Sequence, residues 1–239
     1  GNTSRVDEGF DLALVAIDDY DDPEFPSDLG CVAAAETVKA ALGDLGGVVA
    51  ECADTNRGSK SEVLTWLRER TRSESPGLVL YWAGHGEVHA GAADRSHMLI
   101  LSGDTPSDLD LLGLRTADLM GALGGGWRDS SRWTVVVLDA CGSETGAWEL
   151  DKMVPINHDG PIMLVPTGLG ASFSGAFAEA LRSVVYRNLS DWRRGGCEVD
   201  RLFQMAAGRV NATGIKSSGN WAGVRVRGRP EVPDGLTAE

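Results

Sequence analysis

The chain contains no uninterrupted apolar run of the roughly 18 residues that a membrane-spanning helix requires, so no membrane partner is expected. Its opening, GNTSRVDEGFD, lacks the basic-then-apolar pattern of a secretory leader, and a cytoplasmic location is the expectation. Basic charge is also short. Against 35 Asp+Glu there are 22 Lys+Arg, a formal net charge of −13, which repels nucleic-acid phosphate and anionic lipid. The two basic clusters, Arg193-Arg194 and Arg225/Arg227/Arg229, are not interleaved with aromatic residues on a nucleic-acid motif and read as solvated surface. Nucleic acid is therefore not an expected partner. Cysteine is sparse: Cys31, Cys52, Cys141 and Cys197 form no C-x-x-C pair and have no histidine at metal-ligand spacing, so no metal site is expected and the thiols should be free. The sequons beginning at Asn2, Asn188 and Asn211 would matter only in a secreted protein.

What is present is ordinary globular composition, 42% apolar and 24% charged, over 239 residues. One domain is expected over residues 1–239, with a core of 10–212 and a tail of 213–239. Short apolar runs at 10–17, 48–52, 78–82, 133–138 and 162–165 predict strands, and 98–101 a strand or half of a hairpin. Helical spacing or caps predict helices at about 30–42, 59–72, 116–123, 174–188 and 199–210. The stretch after Cys141 reads as polar loop. Strands alternating with helices indicate an α/β domain with a mainly parallel sheet.

In such sheets functional groups gather beyond the carboxyl ends of the strands. The strand Leu78–Trp82 runs into Ala83-Gly84-His85-Gly86, and Trp133–Leu138 runs into Asp139-Ala140-Cys141-Gly142-Ser143. If the two strands are parallel neighbours, an imidazole and a thiol face one crevice. A thiol is mostly protonated at neutral pH, and a nearby imidazole can remove that proton and later protonate a leaving amine. The flanking glycines let a substrate backbone approach, and the amides of Gly86 and Cys141 could stabilise an oxyanion. His89, His97 and His158 are read as surface residues, and Cys31, Cys52 and Cys197 as core.

The segments LVLYWAGHGEV and VVVLDACGSETG resemble the His and Cys motifs of caspase-like cysteine peptidases, nearer to metacaspases and bacterial homologues than to animal caspases. The 56-residue separation of His85 and Cys141 agrees with the family's roughly 50. ALVAIDDYDDPEFPSDLGCVAAAETVKAAL is similar to the family's first strand, acidic loop and first helix, and GAFAEALRSVVYRNL to a later helix, so the resemblance spans about 10–210. It implies a six-stranded, mostly parallel sheet with helices on both faces, and a cysteine endopeptidase with Cys141 as nucleophile and His85 as general base and acid. The family has no firm third acid, so a backbone carbonyl is expected to orient His85.

The animal caspase pattern Q-A-C-[RQG]-G stands here as Asp139-Ala140-Cys141-Gly142-Ser143. By resemblance to metacaspases, Asp139 would line the S1 pocket, with Asp28 as its second residue, and a carboxylate there favours Arg or Lys at P1. Lys152 would suit the same pocket and is the candidate autocleavage position. No cofactor is needed for the chemistry. The family often uses calcium or a fused sensor module for activation; Asp18, Asp19, Asp21 and Asp22 offer oxygens without EF-hand spacing and read as a solvated loop. Bacterial relatives include effectors in antiviral defence and cell death, acting on protein or peptide substrates. Two other readings stand beside this one: a silent caspase-like interaction module, and a flavodoxin-like small-ligand binder, for which no phosphate loop is present.

Overall fold

A computed structural model describes residues 5–53, 59–70, 74–90, 95–127, 132–153, 162–167, 175–212 and 225–227. Four of the apolar runs become strands β1 (Phe10–Ala16), β3 (Gly77–Ala83), β7 (Trp133–Asp139) and β8 (Ile162–Pro166), in which every residue is buried. That is the pattern of parallel strands covered on both faces, where neither side of the pleat meets water. With β2 (Gly47–Ala53) and β9 (Arg225–Arg227) they form one six-stranded sheet in the order β2-β1-β3-β7-β8-β9. Only β9, from the segment assigned to the tail, runs antiparallel to its neighbour.

The helices α1 (Cys31–Asp44), α6 (Ala176–Gly195) and α7 (Val199–Ala212) cover one face, packing on side chains such as Leu12, Tyr81 and Val137. The opposite face, which carries Val15, Trp82 and Leu138, is covered by α2 (Lys60–Arg70), α4 (Leu119–Trp127) and α5 (Ser143–Met153). Beside these lie β4 (Gly86–Ala90), β5 (Arg95–Leu99) and β6 (Leu114–Arg115), a small antiparallel sheet, and the one-turn helix α3 (Leu109–Leu112). The alternation of odd and even residues between the two clusters follows from the two-residue period of a strand. Among the described residues no helix is long and apolar enough to cross a membrane.

Two differences from the sequence reading bear on the site. The polar stretch after Cys141 is not a loop but the helix α5, which buries Ser143, Gly146, Ala147 and Leu150 and exposes the rest. Residues 98–101 supply only the end of β5; the hairpin begins at His85, so the candidate base sits where β3 leaves the main sheet and β4 opens the small one.

Candidate active site

β1, β3 and β7 lie side by side, and the chain reverses direction across the sheet between β1 and β3, which opens a crevice at their carboxyl ends. β3 and β7 pair in parallel with Ala83 opposite Asp139. Two residues beyond each partner come His85 and Cys141, so the two residues follow adjacent strand ends at the same level. The Gly84 amide continues that ladder, donating to the Asp139 carbonyl at 3.3 Å.

His85 is half-buried and held from three sides. Its backbone N–H donates to the Tyr20 hydroxyl at 2.8 Å. The rings of His85 and Tyr20 meet edge-on, with centroids 4.6 Å apart, and Phe25 closes in at 6.1 Å. Its Nε2 lies 2.7 Å from the Pro26 carbonyl. A carbonyl oxygen only accepts, so Nε2 carries the proton and, in the neutral ring, Nδ1 is left as the basic nitrogen. Orientation by a backbone carbonyl is what the resemblance implied; the acidic loop after β1 supplies it. Burial pushes the Tyr20 hydroxyl up, so it remains a phenol.

Cys141 is half-buried at the entrance to α5. Burial first, then the charges of Asp139 and Glu144, push its thiol up, so the proton stays on sulfur until a base takes it. Gly86 lies against the same backbone: a Cβ there would stand 2.5 Å from the Cys141 carbonyl oxygen and 3.0 Å from the Ala140 Cβ. Only glycine permits that approach, which sets the Gly86 backbone against the Cys141 carbonyl oxygen.

Asp139 is only 2% exposed. Its Oδ2 accepts from the Tyr81 hydroxyl at 2.6 Å and its Oδ1 from Thr167 at 2.7 Å. Burial pushes its carboxyl up to about 6, with the two hydroxyl donors pulling the other way. Asp28 is exposed, sits at a φ of 60°, and donates its N–H to the Asp18 carbonyl at 2.8 Å. It thus belongs to the same loop as Tyr20 and Pro26. Asp18 itself caps α1, its two oxygens accepting from the Cys31 and Val32 amides at 2.7 and 3.0 Å. Asp22 accepts from the Glu24 amide. Among the described residues no three His, Cys, Asp or Glu side chains could hold a metal ion.

Lys152 is placed differently from the polar loop expected for it. It lies in the last turn of α5, with its Nζ 3.1 Å from the centroid of the Trp148 ring. Cys31 and Cys197 are buried free thiols, while His158 falls outside the described residues. His89 is partly exposed and pairs with Glu87 and Asp110, which raise its pKa.

His97 overturns the surface reading. It is fully buried, its Nε2 2.7 Å from the Cys141 carbonyl and its Nδ1 2.6 Å from the Thr116 hydroxyl. Burial lowers its pKa to about 4, so the ring is neutral at physiological pH. A lone histidine in the polar stretch ADRSHM gives no linear signal of this, because the residues that enclose it come from four other elements. A cavity of about 1030 Å³, likewise unforeseen, is lined by Asp19, Asp21, Lys60, Leu64, Leu101 and Asp104 among others. It does not contain His85 or Cys141, but Asp19 and Asp21 flank Tyr20.

No family model and no curated protein matches the chain. Among solved structures, the Drosophila initiator caspase Dronc is similar, with a TM-score of 0.52 and 13% identity. The match covers 77% of this chain and 66% of that one, just under two thirds of the Dronc chain. The fold is therefore caspase-like: a three-layer α/β sandwich on a mostly parallel six-stranded sheet.

Proposed function

We propose that this caspase-like domain is a cysteine endopeptidase that works through Cys141 and His85. The observation that carries the reading is the shared register of the two residues, each two positions beyond a paired residue on adjacent parallel strands. In the proposed mechanism, Nδ1 of His85 takes the thiol proton as Cys141 Sγ attacks the scissile carbonyl. The Gly86 and Cys141 amides would receive the oxyanion. His85 then protonates the departing amine, leaving a thioester at Cys141, and a water deprotonated by the same nitrogen hydrolyses it. With the Cys141 thiol held protonated, the base must act in the attacking step rather than as a standing ion pair.

Asp139, with Asp28, forms the S1 pocket in this reading and selects Arg or Lys at P1. Each Asp139 oxygen retains an acceptor site after its bond to Tyr81 or Thr167, and a bound guanidinium would hold the carboxyl ionised. Autocleavage after Lys152 would require the last turn of α5 to unwind, since a peptidase cleft takes an extended chain. The resemblance of the motifs alone supports a regulated cytoplasmic effector of the bacterial defence or cell-death type, answering to a sensor module or to calcium.

The test is a panel of fluorogenic peptides with Arg, Lys or Asp at P1, given to wild type and Cys141→Ala with and without calcium. Cleavage after Arg or Lys that disappears in Cys141→Ala is expected. Cleavage after Asp would retain the peptidase and reject the S1 assignment. No cleavage, with no labelling of Cys141 by a peptidyl electrophile, would reject the endopeptidase in favour of a silent module.

A further inference from the structure

His97 has no part in the mechanism proposed above, yet it is an ionisable group fully enclosed beside Cys141. Its backbone N–H donates to Glu149 Oε1 at 2.7 Å, which ties β5 to the second turn of α5. Its ring reaches the Cys141 carbonyl, in the turn just before the same helix. Since that carbonyl can only accept, Nε2 bears the hydrogen; Nδ1 of the neutral ring must then accept, and the Thr116 hydroxyl donates to it. Every polar atom of the side chain is thereby satisfied in one tautomer.

The seat is shaped for a ring. A Cβ on Gly86 would lie 2.8 Å from His97 Nε2, and one on Gly146 would lie 2.7 Å from its Nδ1. A Cβ on Gly142 would meet Cδ2 at 3.5 Å. Three glycines from two elements and the intervening turn leave room for the imidazole and for little else.

We propose that His97 is a positioning residue for the nucleophile, fixing the Cys141–Gly142 peptide by donating from Nε2 to the Cys141 carbonyl. The inference rests on the endopeptidase reading for the role of Cys141. A trans peptide is planar, so fixing its carbonyl fixes its whole plane, including the bond that carries the Cys141 Cα. The next residue, Gly142, has a φ of 67°. Because glycine accepts either sign of φ, this peptide could turn over at little steric cost without an anchor. Turned over, the Cys141 carbonyl would leave the His97 ring and enter the crevice, setting a partial negative charge beside the developing oxyanion. The ring prevents that rotation from beneath, where it never meets the substrate.

The discriminating pair is His97→Leu and His97→Gln. Leucine fills part of the seat without a donor, whereas the glutamine amide nitrogen can stand where Nε2 stands. Two rates are read on each: peptide cleavage, separated into kcat and KM, and alkylation of Cys141 by iodoacetamide, followed by mass spectrometry. His97→Leu is expected to lower kcat about tenfold or more with KM within about twofold, and to slow alkylation; His97→Gln should recover most of both. Equal behaviour of the two variants, or a wild-type rate in His97→Leu, would overturn the proposal. Should both variants unfold, nitrogen-15 NMR of the wild-type ring decides: the Nε2–H tautomer supports the proposal and the Nδ1–H tautomer refutes it. If wild type cleaves no peptide and takes no peptidyl electrophile while the alkylation series follows the expected order, the endopeptidase reading fails and the positioning of Cys141 stands.

Discussion

Asp139 shows how one buried side chain carries both a specificity argument and a stability argument. Its carboxyl is held up at about 6 by burial, above the roughly 3.9 of an unfolded chain. A carboxyl that binds its proton more readily when folded makes the unfolded state the poorer proton binder between these values, so stability falls as pH rises from about 4 to 6. By pH 7 the penalty is on the order of 3 kcal/mol. Asp139→Asn removes the charge, keeps an acceptor for Thr167 and lets the Tyr81 oxygen receive the new amide. The variant is expected to melt no lower than wild type at pH 7, with any advantage shrinking towards pH 4, and to lose its preference for Arg and Lys. A melting temperature that drops at pH 7 but not at pH 4 would contradict this. His85 and Cys141 stand out as candidates in the sequence because each follows a strand end and is followed by glycine. Tyr20, Pro26 and His97 do not, since their importance lies in contacts made 65, 59 and 44 residues away in the chain.

The element that holds His85 is the loop between β1 and α1. Asp18 closes α1 at one end of that loop and, through its own carbonyl, holds Asp28 at the other. Asp18→Ala leaves the Cys31 and Val32 amides without their acceptor. A loss of about 1–2 kcal/mol in urea unfolding is expected, accompanied by lower peptidase activity as the Pro26 carbonyl loses its placement. An unchanged unfolding midpoint would show that the cap contributes nothing. The strands β1, β3, β7 and β8 were legible because burial on both faces demands continuous apolar runs, whereas β9, read as tail, has none. α5 was not legible, because it faces the interior through small residues: Ser143, Gly146 and Ala147 are buried while Trp148 is exposed, the reverse of an apolar stripe. The short strand β4 and the start of β5 were hidden for a similar reason, since His89, Arg95 and His97 interrupt any alternation; only the apolar end of β5 was legible.

Across the whole molecule, the end of the sheet opposite the crevice is fastened by a buried ion pair. Arg132, just before β7, donates to Asp11 of β1 at 2.9 Å and also reaches Ser75, before β3, and the carbonyl of Gly77, its first residue. One guanidinium thus spans three strands. Asp11→Ala, which strands the cation in a site about 5% exposed, is expected to cost about 3 kcal/mol in urea unfolding. The double variant Asp11→Ala/Arg132→Met should recover most of that loss, because no charge remains to be desolvated. A double variant as unstable as the single would place the cost in packing rather than charge. The ladder between β3 and β7 has a consequence in time as well as in space. Its two strands are 56 residues apart in the chain, and their pairing must overcome a long loop closure. During synthesis His85 leaves the ribosome well before Cys141, and the two stay apart until β7 docks beside β3. Under the proposed mechanism, peptidase activity would therefore have to wait for that pairing.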